Sequence, residues 1–148
     1  MLLGEHHFPT FEPMQNLTAA ISRLYQDWKG HAPASLDVLP QSGSERRYFR
    51  LHGADGESVI GTYGANVKEN ETFFYFSGHF RKQDLATPRI LAVSEDRQFY
   101  LQEDFGNVSL LNKLEEGGFT TEVYDLFKKS LQELARLQVK GDNGLDYE

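Results

Sequence analysis

Ser42, Gly43 and Ser44, followed by Arg46, Arg47 and Arg50, are the residues of this 148-residue chain whose types and spacing best suit chemistry. Gly43 lacks a Cβ and accepts positive φ, so backbone N–H groups of such a turn can close on an anion, and the short serine hydroxyls add donors. The arginines put positive charge on the run that follows, so the chemistry on offer is capture of a phosphate or another anion. The same residues also make a polar turn whose arginines solvate one strand face, and the local sequence leaves both readings open. A second candidate is Glu103-Asp104 ahead of Phe105-Gly106. A carboxylate there serves as a base or metal ligand, or merely solvates a turn.

Several other chemistries are disfavoured. His6, His7, His31, His52 and His79 include no pair four residues apart and belong to no carboxylate cluster of metal-ligand spacing. No Gly-x-Ser-x-Gly elbow occurs, and Ser42 and Ser44 have no His and Asp partners nearby in the sequence. With no cysteine, disulfides, thiolate nucleophiles and Cys-based zinc sites fall away together. A formal net charge of -7 argues against non-specific nucleic-acid binding, which draws most of its affinity from a basic surface. No apolar run approaches the roughly 20 residues of a membrane helix, and residues 1–10 lack the basic and apolar regions of a signal peptide. A cytoplasmic protein without a membrane partner is therefore expected.

The elements that must position these residues can be read from periodicity. Met14, Leu17, Ile21, Leu24, Tyr25 and Trp28 form one apolar stripe over residues 14–29, with Gly30 as its stop. Strand patterns follow at 36–39, 46–52 and 58–63, the last two joined by the hairpin loop 53–57, so a three-stranded meander is expected. Residues 67–81 turn helical again, with Phe73, Phe76 and Phe80 on one stripe and an acidic first turn. Pro88 ends a polar loop, and 89–93 and 98–102 read as two further strands. A short leucine-bearing helix stops at Gly117-Gly118, and 121–139 forms a longer helix whose broad apolar surface has little later sequence to cover it.

Set in order (strand, serine turn, basic strand, hairpin, strand, acidic helix, two strands, connector, helices), these elements resemble the amino-terminal lobe of the protein-kinase-like fold. The likeness is to the aminoglycoside phosphotransferase and choline kinase superfamily of small-molecule kinases, over residues 36–138. Gly43-Ser44-Glu45-Arg46-Arg47-Tyr48-Phe49-Arg50-Leu51 looks like the corresponding strand of the branch that phosphorylates N-acetylmuramate and N-acetylglucosamine. Tyr100-Leu101-Gln102-Glu103-Asp104-Phe105-Gly106 is similar to that branch's hinge, and Ser130-Leu131-Gln132-Glu133-Leu134-Ala135-Arg136-Leu137-Gln138 to the helix leading to its catalytic loop. The fold class implied is α+β: an N-terminal helical extension at 1–35, a nucleotide lobe with a five-stranded antiparallel sheet, one packed helix and the hinge at 36–106, and the first helices of an incomplete carboxy-terminal lobe at 107–148.

The resemblance also implies roles. Ser42, Gly43 and Ser44 would cover the phosphates of ATP, with Arg46 beside them; Ile60 would pack on adenine, and backbone groups of Gln102, Glu103 and Asp104 would hydrogen-bond its edge. Glu71 matches the helix acid that pairs with a third-strand lysine in such lobes, but here the strand Ser58-Val59-Ile60-Gly61-Thr62-Tyr63 carries no lysine, leaving a neighbouring arginine or Lys68 to substitute. Asp104-Phe105-Gly106 spells the kinase magnesium motif, yet no catalytic loop precedes it, and the match reads as accidental. The Mg2+ ligands and the acceptor-positioning aspartate are expected in the carboxy-terminal lobe, beyond residue 148. The chain is thus expected to be a catalytically incomplete nucleotide-binding piece of a kinase for a sugar or amino-sugar hydroxyl. Two alternatives stand: a non-catalytic kinase-like interaction module that binds through its last helices, and an unrelated α+β fold whose arginine strand binds an anion directly.

Overall fold

The computed structural model describes residues 13–41 and 43–145. Among them the elements run α1 (Met14–Lys29), β1 (Ser35–Val38), β2 (Arg47–His52), β3 (Ser58–Tyr63), α2 (Val67–Lys82), β4 (Ile90–Val93), β5 (Phe99–Glu103), α3 (Leu110–Gly117) and α4 (Thr121–Lys140). This is an α+β chain whose strands form one sheet in the order β1-β2-β3-β5-β4, every neighbouring pair antiparallel. The meander of β1 to β3 and the segment 58–63 match the expectation from sequence; β1 and β5 are shifted by one residue, and β2 starts one residue later. No helix of the described residues is long and apolar enough to cross a membrane.

Strand alternation gives the sheet two unlike faces. Phe49 and Leu51 of β2, Val59 of β3 and Leu101 of β5 point to one of them, where Leu17, Ile21 and Tyr25 of α1 complete a dry core. Their four-residue spacing builds the stripe seen in the sequence, and burying each such side chain contributes about 1.5–3 kcal/mol. The helix ends where the stripe ends, at Gly30 in the left-handed region with φ 84° and its N–H on Gln26 O. Gly61 lets α1 lie close, since a Cβ there would stand 2.4 Å from the Ile21 side chain.

The opposite face carries Tyr48, Arg50, Ile60, Thr62, Tyr100 and Gln102, and it lies toward α2, whose Phe73 and Phe74 rings sit 5.6 and 5.0 Å from that of Tyr100. Asn66 caps α2 by accepting from Glu69 N–H. Here the sequence expectation needs correcting. The phenylalanine stripe is only half-buried, and the buried positions of α2 are Asn70, Ser77 and His79. Each is drawn inward by a backbone acceptor: Asn70 Nδ2 donates to Gly64 O and Arg97 O at 2.8 and 2.9 Å, Ser77 Oγ to Pro88 O, and His79 Nε2 to Gly141 O at 2.8 Å. Hydrogen bonding, not apolarity, sets the inward side of this helix.

Helices α3 and α4 are capped by Ser109, in a capping box with Asn112, and by Thr120. They pack on one another, and α4 buries only Val123. Its far end is tied to the sheet unit by the His79 bond and by Gln83 Nε2 donating to Asn143 O at 2.9 Å. Tyr124, Leu131, Leu134 and Val139 remain exposed, as the breadth of the apolar pattern suggested.

Candidate functional site

The polar face of the sheet presents two arginines, four residues apart and on the same side of the chain leading through β2. Arg50, at the connector end, is fully engaged. Its Nε and Nη2 grip Asp104 Oδ2 and Oδ1 at 2.6 and 2.9 Å, Nη1 donates to Asn107 Oδ1, and Nη2 also reaches Gly106 O at 3.3 Å. Ser58 Oγ and Gly106 N–H add bonds to Asp104 at 2.7 and 2.8 Å. The pair is almost out of solvent, at 10 and 4% side-chain exposure. Burial pushes the Asp104 carboxyl up, but the bonds from Arg50, Ser58 and Gly106 outweigh it and hold the group at about 2. The Asp104 bond likewise raises Arg50, which burial alone would lower. Arg50 thus fastens the segment after β5 to the second strand and has no hydrogen-bonding edge left for a ligand.

Arg46, at the turn end, is in the opposite state. Its side chain is only 18% exposed and its Nη2 lies 3.4 Å from Glu69 Oε1 of α2. Neither Nε nor Nη2 has a hydrogen-bond partner. The guanidinium carbon sits 5.8 Å from the centroid of the Phe73 ring. The same face holds further buried polar atoms without partners: Thr62 Oγ1, which lies by the Tyr100 hydroxyl without hydrogen-bond geometry, Asn70 Oδ1 and Gln102 Oε1. Burial raises the Tyr100 hydroxyl, against the pull of the Arg46 charge. Buried polar groups are paired in the great majority of cases, so these atoms are exceptions to the pairing found elsewhere in the chain.

The sequence-predicted residues fall into three groups. Arg46, Ile60 and Gln102 share this face, with Ile60 directly opposite Gln102 in the β3–β5 register. Gly43, at φ 62° with open space around its Cα, and exposed Ser44 form the turn just before Arg46, which Gln41 Nε2 bridges by donating to Ser44 O at 2.7 Å. Ser42 lies outside the described residues. The remaining three are engaged elsewhere. Glu71 is held bidentately by Arg97 in the β4–β5 hairpin, whose hydrogen bonds lower its carboxyl, and does not reach toward β3. Glu103 accepts from the Arg89 N–H and Nε, the backbone bond being the main cause that lowers it, while its own N–H is spent on Arg89 O at 3.0 Å. Asp104 is the buried partner of Arg50, so its side chain and the Glu103 donor are both committed to the fold. Lys68 is exposed on α2.

Sequence reasoning missed Glu69, Thr62 and Asn70. Glu69 carried a signal, because it precedes Phe73 by four residues and so belongs to the stripe that turns toward the sheet, whereas Glu71 lies well round the helix. Thr62 follows Ile60 by two in a strand and therefore shares its face. Asn70 gave none. Among the described residues no group of His, Cys, Asp or Glu could hold a metal ion. No protein-family model matches this chain, and no curated protein matches it.

Proposed function

We propose that this chain is the nucleotide-binding lobe of an ATP-dependent phosphotransferase acting on a sugar or amino-sugar hydroxyl, with the architecture of a protein-kinase-like amino-terminal lobe. The observation that carries the reading is the track along β3 on the α2 side of the sheet. It starts at the segment pinned by Arg50 and Asp104, passes Ile60 and the unpaired Gln102 Oε1, continues past Thr62, and ends beside Arg46 and the Gly43 turn. From Ile60 to the residue opposite Arg46 is four residues, or roughly 13 Å of strand. In this reading an extended ligand with an apolar, hydrogen-bonding ring at one end and anions at the other lies along that line, and α2 shifts to admit it, since Thr62 and Ile60 are buried.

In this reading Ile60 packs on the base, Gln102 and the Asp104 end of the connector meet its edge, and Arg46 with the turn holds the phosphates. The bound nucleotide supplies the transferable phosphoryl group; this chain's residues bind and orient it, and bury one side of it from water. The Mg2+ ligands and the group that positions the acceptor hydroxyl belong to a carboxy-terminal lobe, and so does acceptor choice. Supporting the assignment are the strand order, the position of α2 between β3 and β4, and the connector that leads from β5 into α3.

Isothermal titration calorimetry of the intact chain with Mg-ATP tests it. Saturable heat with Mg-ATP, weaker binding of adenosine, and none with an uncharged disaccharide are expected. Equal heats for all three, or none with millimolar Mg-ATP, contradict the reading. The exposed side chains Leu131, Leu134 and Val139 of α4 favour a second reading, a non-catalytic interaction module, and that one needs no nucleotide.

A further inference from the structure

We infer that Asn143-Gly144, in the turn that follows α4, is a self-modification site: the Gly144 nitrogen attacks the Asn143 side-chain amide, and the aspartate and isoaspartate that result loosen the tie between α4 and α2. The reaction needs no nucleotide and is independent of the proposed function.

Such an attack asks for an unhindered backbone nitrogen next to an exposed amide, and this is the one Asn-Gly step in the sequence. Residues 141–144 form a turn in which Asn143 and Gly144 are both exposed. Gly144 lies at φ 72° with nothing within 4 Å of where a Cβ would stand, so a five-membered ring has room to close. Among the described residues the Gly144 N–H donates to no acceptor and the Asn143 side chain has no partner. Only the Asn143 backbone is engaged, its N–H on Lys140 O at 3.1 Å and its carbonyl accepting from Gln83 Nε2 at 2.9 Å.

The other asparagines are protected. Asn16, Asn70 and Asn112 lie within helices, and the nitrogens after Asn16 and Asn112 are spent on Pro13 O and Ser109 O. Asn70 Nδ2 is bonded to Gly64 O and Arg97 O. Asn66 Oδ1 accepts from Glu69 N–H at 3.2 Å and Asn107 Oδ1 from Arg50, and each is followed by a valine whose branched Cβ crowds the attack. The matching acidic step, Asp55-Gly56, is closed as well. Gly56 N–H donates to Gly53 O at 3.2 Å, and Asp55 Oδ1 accepts from Glu57 N–H at 3.1 Å.

The step balances with water alone. The Gly144 nitrogen gives its proton to solvent and bonds to Asn143 Cγ, and the amide nitrogen leaves as ammonia, which yields a cyclic imide. Water then opens the ring. Breaking the bond to Cγ gives aspartate in an unchanged chain. Breaking the bond to the backbone carbonyl gives isoaspartate, with an extra methylene in the main chain and a free carboxylate where that carbonyl stood. The carbonyl lost is the one Gln83 holds, and two residues earlier Gly141 supplies the carbonyl held by His79 of α2 at 2.8 Å. These two ties therefore run through the segment that the reaction rebuilds.

The test is incubation of the intact chain in mildly alkaline buffer, with peptide mapping by mass spectrometry, for wild type and Asn143→Gln, whose longer side chain must close a six-membered ring. Folding of both is checked by circular dichroism. Position 143 is expected to lose its amide at least about tenfold faster than any other asparagine, with isoaspartate among the products. The acidic form that accumulates on anion exchange should be absent from Asn143→Gln. In urea the gap should narrow, as Asn66, Asn70 and Asn107 lose the bonds that hold them. Equal rates at all asparagines of the folded chain, or an undiminished acidic form in Asn143→Gln, overturns the site. A gap as wide in urea as in buffer overturns the protection ascribed to the fold. Hydrogen exchange of the converted protein, isolated by anion exchange, reads the consequence: amides of residues 137–141 should exchange about tenfold faster than in the unconverted chain. Unchanged exchange there overturns the link between the modification and the α4 tie.

Discussion

Arg46 and Arg50 leave the same side of one stretch of chain, one just before β2 and one within it, and their surroundings have made them opposites. At the connector end each nitrogen of the Arg50 guanidinium has a partner, and Asp104, Asn107, Ser58 and Gly106 are drawn together around it. At the turn end Arg46 is held by an ion pair and an aromatic ring, with its Nε and Nη2 buried and without hydrogen-bond partners. A satisfied buried charge network holds its elements in position, and an unsatisfied one leaves a desolvation cost unrelieved. The difference separates an arginine whose bonds organise the face from one held there without hydrogen bonds from its buried edge.

The largest expected effect breaks the organising arginine. Arg50→Ala leaves Asp104 buried without its partner and is expected to destabilise the chain by about 3–5 kcal/mol, read from urea unfolding. Loss of under about 1 kcal/mol would mean that the pair does not organise the connector. Next comes pH. The Asp104 carboxyl titrates at about 2 when folded against an ordinary 3.8, so the folded state favours its ionised form. The resulting stabilisation, about 2 kcal/mol, is complete above pH 4 and is lost as pH falls through 4 toward 2. In Asp104→Asn this acid-side slope of stability against pH should flatten, whatever the variant's stability at neutral pH.

Arg46 should behave differently. Arg46→Met removes buried donors that have no hydrogen-bond partner, so unfolding free energy is expected to change by less than about 1 kcal/mol, in contrast to Arg50→Ala. A loss as large as that of Arg50→Ala would show Arg46 to be structural. The smallest effect is expected at Thr62→Val, which replaces a buried hydroxyl lacking a well-formed bond with a methyl of the same shape. Stability should stay level or rise by up to about 1 kcal/mol, measured by the same unfolding assay.

Much of the frame was legible in the sequence. The α1 stripe repeats Leu17, Ile21 and Tyr25 at a helical period, and β3 is bracketed by a hairpin loop and Gly64, so both could be placed to the residue. The α2 interior could not. Its buried residues are polar, and their acceptors come from Gly64, Pro88 and Gly141, 6, 11 and 62 residues away. Hydrophobic periodicity ranks the phenylalanines first and has no view of such distant carbonyls. The same limit hid the state of the arginines. Arg46, Arg47 and Arg50 look alike in sequence as charges before and along a strand, and only the return of Asp104, 54 residues later, consumes Arg50. For the helix acid, motif position points to Glu71, whereas helical phase points to Glu69, four residues before Phe73.

The proposed division of the sheet is tested most directly by two-dimensional NMR of the intact, 15N-labelled chain titrated with Mg-ATP. Amides of Gly43, Ser44, Arg46, Ile60, Thr62 and Gln102 are expected to shift together along one saturating curve, while those of Leu17, Ile21 and Tyr25 on the α1 side stay in place. Shifts centred on α1 or α4, or none at millimolar nucleotide, would contradict a nucleotide track on the α2 side of the sheet.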